Sequence, residues 1–399
     1  MGDDMAHVLE GIRVLDLGRY IAAPYCCTLL ADLGAEVIKI EKVNGGDDGR
    51  HFGPYVNGVS LYVPTFSRNK KGLTLQFRSE KAKEILRELI KKSDVIVENF
   101  RPGTMEKMGF GYEDVKAINP RIIMASISGF GQTGPEHGRA VTDVAGLALS
   151  GLMSVTGTLE SGPMIIGTQV ADHTAGIVTA LSIMTALYDR EKTGMGQFID
   201  TSMVECLAPM MQTIIPDYAM TGRKVGLHGN TDLLSCPSDC YRTSDGGYVI
   251  MYAGSDVLYE KLASALGVAE MRDPKFATVE LRNQNKDEVE NYVRVWALEH
   301  TAEEVEKTWL DAGVPAAKVR DVEDLWNSNQ LKSRGFFVDV EVPGIGKVPF
   351  ARSPIRLSAH PDTEYAHAPA MGEHNNEILR NLLGMNDQEI ELLRKEKVI

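Results

Sequence analysis

IRVLDLGRYIAAPYCCTLLADLGAEVIKIE, residues 12–41, decides the fold of this chain. Its first seven residues, IRVLDLG, are a short apolar run with β-branched side chains, the composition of a strand. Pro24 suits the first turn of a helix, and YCCTLLADLG ends on Gly34, a stop signal at a helix C-terminus. AEVIKIE (35–41) then reads as the next strand. Strand, helix, strand in succession, with apolar rather than alternating strands, implies a parallel sheet covered on both faces.

The same pattern continues outward. GLTLQF (72–77), DVIVENF (94–100) and RIIMASISGF (121–130) read as further strands. SEKAKEILRELIKKS (79–93) carries Ala82, Ile85, Leu86, Leu89 and Ile90 at helical spacing, with Ser79 as its expected cap. Residues 171–221 read as mostly helical, interrupted by TGMGQFIDTSM (193–203), a turn leading to a short strand. From 226 the chain becomes loop-rich, with strands around an Asp245-Gly246-Gly247 turn and helices near 257–266, 286–299 and 302–312. This is the pattern of a smaller α+β domain. Strand-like residues 337–358 and a helical tail (372–396) follow.

At 399 residues the chain is long enough for two domains. Its 43% hydrophobic and 24% charged residues are those of a globular protein, and no stretch reads as the roughly 20 apolar residues that span a bilayer. The N-terminal residues lack a basic segment followed by an apolar core, so the expected location is the cytoplasm. A net charge of −13 argues against nucleic acid as a partner. That acidity is uneven: residues 1–110 contain 16 basic and 15 acidic side chains, leaving 26 and 40 for the remainder. Five cysteines are too few and scattered for a disulfide framework. Cys26 and Cys27 read as buried thiols, and CPSDC (236–240) lacks a second ligand pair, so no metal is expected.

Four stretches could carry chemistry. GFGQTG (129–134) matches a dinucleotide fingerprint in letters, but a loop follows where a helix should open, which favours a plain glycine-rich turn. Arg101 follows the strand DVIVENF, where ligands gather in open α/β sheets, with Lys107 one or two helical turns on; they read as phosphate ligands or as solvated cations. SRNKKGLTLQFR (67–78) reads as a solvated charged edge. Asp172, in GTQVADHTAG (167–176), heads the long apolar helix. It is either an N-cap, accepting an amide of Thr174 or Ala175, or a carboxylate nucleophile kept from water. His173 points about 100° away from it, so a direct Asp–His pair is not expected.

Taken together, LEGIRVLDLGRYIAAPYCCTLLADLGAEVIKIE, NKKGLTLQFRSEKAKEIL, DVIVENFRPGTMEKMGF, NPRIIMASISGFGQTGP and VADHTAG closely resemble the class III coenzyme A transferases, over nearly the whole chain and most strongly over residues 9–203. The resemblance implies an α/β fold with a Rossmann-like large domain (1–225, with 331–399 returning to it) and a small α+β domain (226–330). It also implies two such chains interlocked as an obligate homodimer. Asp172 falls on the family's catalytic aspartate. The coenzyme-contacting positions carried over are Lys42, Leu75 to Arg78, Asn99, Phe100, Arg101 and Lys107. The implied partners are an acyl-CoA and a small carboxylic acid as substrates, with no permanently bound cofactor. Ala253–Asp256 is the nearest candidate for a lid, and Tyr20, His228 and Tyr252 either reach the acid or pack. The rival inside the superfamily is an α-methylacyl-CoA racemase, whose His-Asp pair would fall on AVTDVAG; here Thr142 stands in place of that His, removing one of the two bases. A non-catalytic CoA-binding paralogue is the third reading.

Overall fold

Short apolar runs, each followed by a helix, can bury both of their faces only in a parallel sheet. The computed structural model, which describes residues 7–360 and 362–399, contains that sheet. Its strands are β1 (Arg13–Asp16), β2 (Glu36–Glu41), β3 (Lys70–Thr74), β4 (Val95–Glu98), β5 (Ile123–Ser128) and β6 (Phe198–Ser202). They lie in spatial order β6-β5-β4-β1-β2-β3, and every neighbouring pair is parallel. Strand order reverses between β1 and β4. There the following turns diverge and leave a crevice outside the carboxyl ends of the strands.

Helices α1 (Ala22–Asp32), α2 (Tyr62–Ser67), α3 (Glu80–Lys91), α4 (Thr104–Met108), α5 (Asp143–Leu149) and α6 (Val170–Thr193) accompany the sheet. On α3 the five apolar residues at helical spacing are all buried, while Ser79 holds the N-cap position without its side chain accepting a bond. The core beneath α3 is completed from the far end of the sequence: Ile378, Leu379, Ile390, Leu393, Val398 and Ile399 pack with Leu73, Leu75 and Leu89. Cys26 and Cys27 are buried thiols in α1.

Two expectations need correction. First, α6 is 24 residues long, and by length and composition alone it is apolar enough to cross a membrane. Its small residues instead pack it tightly onto α1; a Cβ on Gly176 would sit 2.9 Å from the Ala22 carbonyl oxygen. Second, the tract 67–78 is no solvated edge. Arg68 is buried and donates from Nη2 to Asp32 at 2.7 Å. Lys70 is fully buried, its Nζ donating to Asp16 and to the carbonyls of Pro24 and Phe66, each at 2.8 Å. The pleat turns its neighbour outward, where Lys71 pairs with Glu36 and Glu377.

The chain divides into two compact units. One comprises the described residues through Leu152, Ile166–Ile215 and Arg334–Ile399; the other comprises Met153–Ile165 and Pro216–Ser333. In the second unit β7 (Ser238–Arg242), β8 (Tyr248–Tyr252) and β9 (Ala316–Lys318) form an antiparallel sheet. Its helices include α7 (Asp256–Leu266), α8 (Lys286–Leu298) and α9 (Ala302–Asp311). The turn at Asp245-Gly246-Gly247 joins β7 to β8, with Gly246 at φ 82°. Arg282 is wholly buried and donates to the carbonyls of Cys236, Phe276 and Gly254. The Cys236 thiol faces Glu290 at 3.4 Å.

Candidate active site

The crevice at the carboxyl ends of the sheet holds a cavity of about 720 Å³. The turn after β1 supplies Arg19, Tyr20 and Ile21; the turn after β4 supplies Asn99, Phe100 and Arg101; Ser128 and Gly129 end β5. Tyr62 comes from α2, Thr142 and Asp143 from the head of α5, and Asp172 from the first turn of α6.

Asp172 is not a cap. The N-cap position belongs to Gln169, and Asp172 is the third residue of the helix, where its carboxylate accepts none of the first-turn amides. Its own amide donates to Asp143 Oδ1 at 3.0 Å. Among the described residues no protein group donates to its carboxylate. Burial, and then the nearby Asp143 charge, push its pKa up to about 7. The amides at the start of α6 oppose this by favouring negative charge at that end. A carboxylate more basic than usual is the result, open to a ligand.

The neighbours are set by packing. His173 sits with Nδ1 at 2.6 Å from the Gln169 carbonyl and its ring against Tyr25, 4.7 Å between centroids, so it does not pair with Asp172. Burial, and then the charge on Asp172, raise the Tyr62 phenol. Tyr20 adopts φ 61°, a strained conformation for a bulky residue, and its amide donates to Asp47 Oδ1. Asp47 is itself held by buried Lys39, which also donates to the Gly18 carbonyl.

A second cavity of about 220 Å³ adjoins these turns, lined by Lys42, Phe77, Thr104 and Met108 among others. Arg19 and Phe100 line both cavities, the guanidinium 5.8 Å from the ring centroid. Lys42 pairs with Asp48 at 2.7 Å, and Arg19 approaches the same carboxylate at 3.4 Å.

The carried-over positions therefore separate. Asn99, Phe100 and Arg101 stand in the cavity with Asp172, and Lys42 lines the second one. Arg78 and Lys107 are exposed and line neither. Leu75 has no exposed surface; its side chain belongs to the hydrophobic core and its amide donates to the Glu41 carbonyl. The residue reading missed Arg19 and Tyr62, and met Asp143 only as the neighbour of Thr142. For Arg19 a signal existed, since it follows the first strand of the sheet. GFGQTG forms a turn with Gly131 and Gly134 at positive φ, and the next helix opens only at Asp143. Among the described residues no group of His, Cys, Asp and Glu is arranged to hold a metal ion.

Residues 9–375 match the family described as CoA-transferase family III. The chain is 35% identical to a succinyl-CoA–D-citramalate CoA-transferase of Chloroflexus aurantiacus, over 98% of each sequence. It is 36% identical to an acetyl-CoA:oxalate CoA-transferase of Acetobacter aceti, over 91% of this chain and 93% of that one. The crystal structure of a CAIB/BAIF family protein from Brucella suis superposes with a TM-score of 0.84 at 33% identity, covering 94% of this chain and all of that one. A parallel α/β sheet shared with that structure and similarity over nearly the full length agree: this chain belongs to CoA-transferase family III and is a CoA-transferase.

Proposed function

We propose that the enzyme moves CoA from an acyl-CoA to a small carboxylic acid through covalent intermediates on Asp172. An Asp172 oxygen attacks the donor thioester carbonyl; the C–S bond breaks, leaving a mixed anhydride and CoA thiolate. The thiolate attacks the aspartyl carbonyl of the anhydride, the donor acid departs as its carboxylate, and CoA is held as an aspartyl thioester. The acceptor carboxylate attacks that thioester, expelling the thiolate and forming a second anhydride. Attack of the thiolate on the acceptor carbonyl yields the new acyl-CoA and frees Asp172. No proton is gained or lost overall, and each activated acyl bond is exchanged for another, so no ATP is needed.

One observation carries this reading: a carboxylate of raised basicity, bonded by no protein donor among the described residues, facing the main cavity. Lys42 and the turn Asn99–Arg101 are assigned to CoA, with Arg19 and Phe100 between the two cavities. The relatives' names make dicarboxylates and related small acids the first acids to assay. The working molecule is a homodimer of interlocked chains, consistent with exposed Ile177, Leu181 and Tyr188 on α6. After incubation with a productive acyl-CoA, hydroxylamine should label Asp172, detected by peptide mass spectrometry. Asp172→Ala should cut exchange by at least about a thousandfold, the scale expected for loss of a nucleophile. Full exchange by that variant sinks the mechanism. Deuterium entering the α-carbon of a 2-methylacyl-CoA would favour the racemase reading instead.

A further inference from the structure

The motif DVIVENF contains a buried acid that the mechanism leaves unused. Glu98, the last residue of β4, is 4% exposed, and the charged neighbour felt by its carboxyl is another acid, Glu106. Taking a carboxyl out of water with no cation beside it is costly, so its hydrogen bonds must return something. Its Oε2 accepts the Phe100 amide at 2.6 Å, and the hydroxyl of Ser126, its register partner on β5, donates to it as well. The adjacent Asn99 clamps the other turn. Its Oδ1 accepts the Arg19 amide at 2.8 Å while its Nδ2 donates to the Arg19 carbonyl at 2.9 Å. Glu98 and Asn99 thus hold the peptides of Phe100 and Arg19, the two residues shared by both cavities.

We infer that Glu98 is a positioning residue for the acyl-CoA: by accepting the Phe100 amide it keeps the turn Asn99–Arg101 in the shape that receives the coenzyme. This rests on the assignment of that turn to CoA. What matters is the reach of the acceptor oxygen rather than its charge, and two substitutions separate these. Glu98→Gln keeps the reach and loses the charge; Glu98→Asp keeps the charge and withdraws the oxygen by about one bond length, ~1.5 Å.

In steady-state kinetics Glu98→Asp should raise KM for acyl-CoA about tenfold, with KM for the acceptor acid and kcat within about twofold. Glu98→Gln should stay within about twofold of wild type throughout, and thermal melts should show both variants folded. The reverse pattern, Gln impaired and Asp unaffected, overturns the inference, as does an equal rise in both KM values. Arg101→Ala serves as the reference. If it raises KM for acyl-CoA while Glu98→Asp does not, only the role of Glu98 fails. If neither substitution moves KM for acyl-CoA, the placement of the coenzyme at this turn fails and the inference with it.

Discussion

Burial and the Asp143 carboxylate bring Asp172 to a pKa of about 7, so near neutrality both its protonated and ionised forms are populated. Only the ionised form attacks a thioester. On the proposed mechanism kcat/KM for the donor should therefore fall about tenfold per pH unit below about 7, with a single ionisation in the pH–rate profile. Asp143→Asn removes the like charge while keeping an oxygen for the Asp172 amide, so the acid limb should move to lower pH; an unmoved limb would mean that Asp143 does not tune the nucleophile. The same shift affects stability. An unfolded aspartate titrates near about 3.9, so between that value and about 7 the native state keeps a proton the unfolded chain has released. Stability from this group is full below the unfolded value and is lost as pH rises through the folded one. Asp172→Asn should therefore stabilise the protein at pH 8, by up to about 4 kcal/mol, with the gain vanishing toward pH 4. Urea unfolding at several pH values measures this directly.

Strand β3 illustrates how an element decides the fate of its residues. Lys70 and Lys71 are adjacent and chemically identical, yet the pleat sends one into the sheet–helix interior and the other to solvent. Lys70→Met would leave Asp16 buried without its nearer cation, since Lys39 stands 3.7 Å away, and should cost about 3 kcal/mol. Lys71→Met breaks only half-exposed pairs and should cost less than about 1 kcal/mol. Equal shifts in denaturant midpoint for the two variants would contradict this picture. The network matters for function because Asp16 also accepts the Gly18 amide, and Lys39 holds the Gly18 carbonyl and Asp47, which restrains Tyr20. Asp16, Lys39 and Lys70, one from each of β1, β2 and β3, are thereby linked by hydrogen bonds to the turn that walls the cavity.

At the scale of the whole molecule, α6 leaves an apolar face exposed. Ile177 is 51%, Leu181 66% and Tyr188 67% exposed, an unusual cost for a helix otherwise packed by small residues. If a second copy covers that face, sedimentation should give twice 43.8 kDa, and Leu181→Asp should yield monomer or little folded protein. A monomeric wild type would refute the interlocked dimer. The parallel sheet, its helices and the family were all legible in residue order, because strands buried on both faces and helices with one apolar stripe write their periods locally. So was Asp172 as a carboxylate at the head of a helix. Its position inside the first turn was not, nor was its bond to an aspartate 29 residues earlier. Leu75 likewise sits among residues near the chain's far end, and Lys70 beneath a helix that precedes it. Local pattern specifies which elements form and which faces are apolar. Strand order and register decide which distant side chains meet, and hence which carboxylate becomes basic, which cation is buried and where the cavity opens.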